Sequence, residues 1–501
     1  MSHPPDPRYD ARLKSIDIRF GWVAVIVFAA GSLACAALSD GFLTADALTH
    51  YLYAKYAFRE PTLLVDVWGR PLVTALYAVA ASLGGRFGVR LMGLLASLAC
   101  SFAAARIAAG QGARRPVLAL LFTLAQPLVF LNSFAEMTEL PFAALAGLAF
   151  LAYQSRRWWV AAVLASLLPL TRPEGFELLA LAAVGLLVNR RFLPLLLLPL
   201  PLLMLNHAGW TLYGRTGPWW CWLPDHWPYA RESTYPSGSL FQFLFFLPVV
   251  VSPLILPATF AGACRMIRGV DDAPDAHRRA CRLMIVAIPL SILLIHSLLY
   301  RLGKMASFGE PRYLLTAAPF WAVLSATGWD WLSDALRWRH PLRWGAVASL
   351  LPALALFAQP VLPLRRPAHW ETAERFVRQY REQMLTAGYT KVLAAHPAVF
   401  YYLDVSPIDH EHVVEWRKES VRNPPPGTVL VWDPIYSARN ASTDRAVTLD
   451  DVRAAGWVQV PEFDQTLAAA PSGSSRPTPD PQDQLAPRGK WAVFVHPPGG
   501  N

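Results

Sequence analysis

The sequence predicts a polytopic α-helical membrane protein of about eleven spans, residues 1–362, followed by a small soluble α/β domain, residues 363–501. Three observations predict it. Hydrophobic residues make up 54% of the chain and charged residues 16%, where soluble proteins carry about 25% charged. Apolar runs long enough to cross about 30 Å of hydrocarbon recur along the first 362 residues. After Pro363 the pattern changes to an amphipathic helix and short alternating strands.

The runs lie near 20–39, 86–109, 115–133, 137–154, 157–171, 174–190 and 192–206, then 239–264, 281–301, 311–333 and 342–362. The first follows a basic flank (Arg8, Arg12, Lys14, Arg19) and has about 20 mainly apolar residues. That length fits a retained span better than a cleaved signal. Between Pro71 and Gly85, LVTALYAVAASL is too short to span and reads as an interfacial or re-entrant helix, with Trp68 and Tyr77 near the headgroups.

The net charge of +10 raises nucleic acid as a partner, but the basic residues sit in short clusters between apolar runs. Six clusters, from Arg8/Arg12 through Arg114/Arg115, Arg156/Arg157, Arg190/Arg191 and Arg278/Arg279 to Arg337/Arg339, alternate with loops that lack them. The positive-inside rule puts them in the cytoplasm, with the N-terminus. The other connections and the C-terminal domain then face outward; in a bacterial inner membrane that side is the periplasm. Each outer connection holds a carboxylate.

In the C-terminal domain AHWETAERFVRQYREQML reads as the amphipathic helix, and KVLAAH, TVLVWD and KWAVFVH read as strands. The stretch APSGSSRPTPDPQDQLAPRG reads as a mobile loop. His396 and Asp433 each follow a strand, where turn formation is the more common role for Asp.

The candidate chemistry lies in the outer connections. The loop from Asp40 to Arg70 places Asp40, Asp46, His50 and Asp66 beside the first span. On a helix Asp46 and His50 share a face, and partial desolvation would raise the basicity of a carboxylate there. Capping of the next helix is the plainer alternative. Glu136 and Glu139 begin the fourth run, where acidic residues also suit a helix N-terminus. Arg172 and Glu174 flank Pro173, as a helix-tying pair or a substrate contact. Lys304, Glu310, Arg312 and Tyr313 form a basic-aromatic set suited to a phosphate. The Trp-rich loop 207–238 offers an interfacial belt or an apolar wall. No HExxH, CxxC or outer DxD pattern is present, and the five cysteines suggest neither a disulfide nor a thiolate metal site. No metal or other cofactor is expected.

Taken in order, TADALTHYLYAKYAF, LVDVWGRPLVTALYA, FAEMTELPF, LPLTRPEGF and GEPRYLLTAAP resemble the GT-C superfamily of integral-membrane glycosyltransferases. The likeness is to its dolichyl-phosphate-mannose mannosyltransferase-like and aminoarabinose-transferase-like members. The resemblance implies that Asp46 is the catalytic base, although Ala47 stands where the family commonly has Glu. It implies transfer of a sugar, with inversion, from a polyprenyl-phosphate donor to an outer acceptor that is a glycan, lipid or protein. Asp40, His50, Asp66, Glu136 and Glu139 would position the acceptor; Arg172, Lys304, Arg312 and Tyr313 would hold the donor phosphate. The alternative from another class is a transporter or flippase of a lipid-linked sugar. Mid-helix charge would favour that alternative, whereas the carboxylates here gather on one face.

Overall fold

The computed structural model describes residues 7–229, 235–305, 308–357, 362–434, 436–437, 445–460 and 491–496. Helices run through every apolar stretch. They are α1 (Pro7–Leu38), α2 (Ala45–Tyr56), α3 (Pro71–Gly110), α4 (Val117–Leu124), α5 (Pro127–Asn132), α6 (Glu139–Gln154), α7 (Trp158–Ser166), α8 (Gly175–Val188), α9 (Phe192–Leu195) and α10 (Leu200–Leu212). Then come α11 (Trp222–Asp225), α12 (Gln242–Val251), α13 (Leu256–Arg268), α14 (Ala276–Leu302), α15 (Ala318–Ala335) and α16 (Pro341–Phe357).

Among the described residues, Arg19–Leu38, Pro71–Gly110, Phe192–Leu212 and Ala276–Leu302 are long and apolar enough to cross a membrane. The pair α12–α13, bent by 105°, adds a fifth if it counts as one span. The remaining apolar runs fold as shorter helices or broken pairs. Pro127 explains one break: it removes a backbone donor and biases Gln126 away from the helical region, so one run becomes α4 and α5.

The predicted short helix before Gly85 is the outer part of α3, set off by a break at Gly84 and Gly85. Gly85 has φ 55° and ψ −141°, a conformation open essentially to glycine. Tyr77 is not at a headgroup surface as the sequence suggested. It is buried, and its hydroxyl donates to the Met137 carbonyl at 2.6 Å, because this part of α3 packs on α2. Further along, α13 and α15 approach so closely that a Cβ on Gly262 would lie 1.8 Å from the Leu324 carbonyl oxygen. A Cβ on Gly328 would meet Ala258 in the same way, a small-residue helix contact of the kind used where lipid surrounds a bundle.

Beyond residue 362 come α17 (Ala368–Gln379), β1 (Lys391–Ala394), α18 (Pro397–Leu403), β2 (Val413–Val414), α19 (Lys418–Arg422), β3 (Thr428–Trp432), α20 (Leu449–Ala454), β4 (Val458–Gln459) and β5 (Ala492–Val495). They form one sheet in the order β2-β1-β3-β5-β4. The first three strands pair in parallel, and β5 runs antiparallel to β3 and β4. The three predicted strands are its centre. The predicted loop at 470–489 lies outside the described residues.

One hydrophobic core ties this sheet to the start of the chain. Phe42, Leu48, Leu52 and Tyr56, on and just before α2, pack in the same cluster as Trp370, Phe376, Val392 and Val429.

Candidate active site

Helix α2 starts at Thr44, whose hydroxyl oxygen accepts from the Ala47 backbone N–H at 3.3 Å and donates to Met137 Sδ at 3.6 Å. Asp46 therefore sits in the first turn, where backbone N–H groups favour an anion. Its Oδ2 accepts from Arg312 Nη2 at 2.6 Å. Arg312 comes from the 3-10 turn Pro311–Ala317, directly before α15. It is buried, pairs with Glu310 through Nε, donates to Met137 Sδ through Nη1 at 3.6 Å, and lies 3.8 Å from Glu139.

Glu139, the first residue of α6, joins the second guanidinium: Arg172 Nη1 is 3.0 Å from its Oε1. Arg172 also donates to Thr138 Oγ1 at 2.8 Å and to Glu174 Oε1 at 2.9 Å. Glu174 Oε1 in turn lies 3.1 Å from His296 Nε2 on α14. Tyr313 is the common floor. His296 stacks on its ring at 4.9 Å, and the guanidiniums of Arg172 and Arg312 lie 5.7 and 5.5 Å from its centroid. Segments far apart in sequence thus converge on a line of alternating charge, Asp46, Arg312, Glu139, Arg172 and Glu174, with the His296 ring at its end.

The electrostatics at the Asp46 end differ from the sequence expectation. Burial does push the Asp46 carboxyl up, but the Arg312 guanidinium beside it and their hydrogen bond outweigh that and hold it below the usual carboxylate range. Paired this way, Asp46 is a weaker base than desolvation alone would make it. His50, one helical turn on, is pushed down to about 3 by burial; Asp46 opposes the shift, and Arg70, Arg172 and Arg312 add to it. Its ring is neutral at neutral pH and stacks on Trp68 at 5.1 Å. Its Nδ1 is buried with no hydrogen-bond partner among the described residues.

Arg70 brings a further positive charge to Asp46 and His50, and it donates to the Tyr229 hydroxyl at 2.7 Å. It holds φ 66°, a left-handed conformation that costs energy for a residue other than glycine. Burial raises the Asp66 carboxyl, while its hydrogen bond from Gly69 N at 2.7 Å opposes that.

The predicted residues separate into two groups. Asp46, Glu139, Arg172, Arg312 and Tyr313 meet in the network, and His50 and Asp66 lie along the segment that leads into it. Asp40 stands apart, exposed, 3.6 Å from Arg366. Lys304 lies in the turn after α14, its backbone N–H bonded to Leu299 O at 2.9 Å.

Glu136 lies in a separate contact: it is fully buried in an ion pair with Arg90 at 2.8 Å. Arg90 also donates to the carbonyls of Ala36 and Ser39 at 2.8 Å and of Gly41 at 2.6 Å. The pair secures the end of α1 and the turn into α2. Asp433 is likewise engaged within its own turn, accepting from Tyr436 N at 2.6 Å and Ser437 Oγ at 2.9 Å.

Sequence reading passed over His296 and Arg90. Both are ionisable residues inside apolar runs, which is itself a pointer to function or to a buried partner.

An apolar cleft lies between α6, α7, α8 and α14, and Leu168 is among the residues that line it. Several alanines line it, with Phe150, Tyr153, Leu178 and Ile288.

No protein-family model and no curated protein sequence matches the chain. Among solved structures it is similar to ArnT from Cupriavidus metallidurans bound to undecaprenyl phosphate, with a TM-score of 0.55 and 14% identity over 83% of this chain and 93% of that one. It is also similar to the apo state of that protein, with a TM-score of 0.54, 14% identity, and coverage of 83% and 94%. Over most of its length the chain therefore shares the fold of that ArnT structure.

Proposed function

We propose that the chain is an integral-membrane glycosyltransferase that moves a sugar from a polyprenyl-phosphate donor to an acceptor hydroxyl on the non-cytoplasmic face. The observation that carries the reading is the bond from Arg312 to Asp46, which sets a carboxylate base beside a guanidinium able to hold a phosphate. The fold supports a lipid-phosphate donor, since the similar ArnT structure is bound to undecaprenyl phosphate.

In this mechanism the donor phosphate draws Arg312 away from Asp46. The carboxylate, released from its partner, then takes the proton of the acceptor hydroxyl. The acceptor oxygen forms its bond to the anomeric carbon as the bond from that carbon to the phosphate oxygen breaks. The electron pair leaves with the phosphate, and inversion follows from a single displacement. Arg312 and Arg172 stabilise the charge that develops there, with Tyr313 holding the two guanidiniums in place. No metal is needed for that charge, so dialysis against a chelator should leave the rate unchanged.

Asp66, Glu139 and the neutral His50 ring orient the acceptor. Asp40 and Glu136, placed away from the network, are assigned to the scaffold. The cleft between α6, α7, α8 and α14, with the Trp-rich loop, encloses the prenyl chain. Eleven crossings of a bacterial inner membrane, with the N-terminus cytoplasmic and the sheet periplasmic, complete the reading. A periplasmic reporter fused after residue 400 should be active.

The test is transfer from an undecaprenyl-phosphate sugar by the purified protein and its Asp46→Asn variant. Loss of a general base should lower the rate by about 10²–10⁴-fold, with undecaprenyl phosphate binding retained. Equal rates would remove Asp46 from the mechanism.

A further inference from the structure

We infer that Asp404, on the C-terminal sheet side, is a positioning residue for Asp46, acting along the length of α2. The inference rests on the reading of Asp46 as the base. It also makes residues 363–501 part of the catalytic frame.

The geometry runs from end to end of one helix. Asp46 lies in the first turn of α2, while Lys55 and Tyr56 form its last turn. At 1.5 Å per residue the nine steps from Asp46 to Lys55 span about 14 Å, a rigid lever with the candidate base at one tip. The other tip is gripped by a single carboxylate: Asp404 Oδ1 pairs with Lys55 Nζ and accepts from the Tyr56 hydroxyl at 2.9 Å.

Asp404 is itself fixed. It ends α18 in the left-handed conformation, at φ 60°, with its N–H bonded to Tyr401 O at 3.3 Å and the next N–H bonded to Phe400 O at 3.2 Å. A second tie lies beside it, where the Ser406 hydroxyl donates to Glu60 Oε2 at 2.6 Å, four residues past the end of α2.

Side-chain packing makes the grip directional. The Tyr401 ring contacts Phe42 at 5.5 Å and Tyr51 at 6.3 Å, so α18 touches α2 along its flank as well as at its end. At the Asp46 end the side-chain contacts to the bundle include a thioether at Thr44 and the Arg312 bond. When donor phosphate draws Arg312 off, the orientation of Asp46 then rests on the core packing along α2 and on the tie at its far end. A displacement near 1 Å at a reacting group can cost as much as 10²-fold in rate.

The pair is partly exposed, Lys55 at 34% and Asp404 at 64%, and exposed pairs contribute little to overall stability. Removing Asp404 should therefore leave the fold intact and act on α2. The experiment uses the full-length protein in nanodiscs, as wild type, Asp404→Asn, Lys55→Asp and the exchanged pair Lys55→Asp/Asp404→Lys. Hydrogen–deuterium exchange is followed over residues 45–56, and turnover is measured with an undecaprenyl-phosphate sugar.

The expected result is several-fold faster exchange confined to α2 in both single variants. Their kcat falls about tenfold, KM for the donor stays within twofold, and the exchanged pair recovers both quantities to within threefold of wild type. Wild-type exchange over α2 in Asp404→Asn, unchanged kcat despite faster exchange, or no recovery in the exchanged pair overturns the inference. The exchange measurement needs no turnover. If the wild type transfers no sugar, the Asp404–α2 coupling is still decided while the catalytic reading fails by itself.

Discussion

Arg312 and Asp46 are 266 residues apart in sequence and joined by a 2.6 Å hydrogen bond. The bond unites the turn before α15 with the first turn of α2, and it sets the protonation of the carboxylate proposed to do the chemistry.

Substituting Arg312→Gln should change the pH profile as well as the rate. In the wild type Arg312 keeps the Asp46 carboxyl below its usual range against the upward push of burial. Without the guanidinium the upward push prevails, so the acid limb of kcat/KM should move to higher pH. The rate should fall by about 10²–10³-fold, the scale of a lost charge-stabilising group. An acid limb at the wild-type pH would show that Arg312 does not govern the base.

His50 predicts a pH-dependent stability. Its folded value is about 3, against an ordinary value near 6.5. On acidification the unfolded chain therefore takes up this proton first. Below about pH 6.5 and down to about 3, His50 should cost roughly 1.4 kcal/mol of stability for each unit of falling pH. Thermal unfolding of His50→Phe across that window should show a shallower loss than wild type. Parallel slopes would place His50 in contact with water.

Arg90→Met leaves Glu136 buried without its cation. Breaking a buried pair from one side costs about 3–5 kcal/mol. The variant should unfold at a clearly lower temperature, and Arg90→Met/Glu136→Gln should regain part of the loss. If the double variant is no better than the single one, the carbonyl contacts of Arg90 carry the effect.

Gly262→Leu tests the contact of α13 with α15. The new side chain would begin 1.8 Å from the Leu324 carbonyl oxygen, so the helices must separate. Overpacking of this kind costs about 1–3 kcal/mol. A melting temperature equal to wild type would mean that the two helices have room to part.

The sequence made the helical bundle legible because burial in lipid demands long apolar runs, and the strands at 391–394, 428–432 and 492–495 because short runs rich in Val and aromatic residues mark a sheet, here buried on both faces. It also brought Asp46, Glu139, Arg172 and Arg312 into view, since each stands at the end of an apolar run. What it could not show was pairing. Glu136 and Glu139 are three residues apart and look equivalent in a string, yet one faces Arg90 and the other the two guanidiniums. The low titration of Asp46 was hidden for the same reason, because its cause is a side chain 266 residues further along the chain. The strands β2 and β4, two residues each, are too short for alternation to register.

Met137 has a mechanical consequence. Its sulfur receives both the Thr44 hydroxyl and the Arg312 guanidinium at 3.6 Å. Thioether sulfur is a weak and polarizable acceptor on a flexible stem. A carbonyl at the same place would clamp its donors at one angle. The sulfur instead lets Arg312 swing by small amounts without breaking contact, so the joint between α2 and the turn before α15 behaves as a compliant bearing.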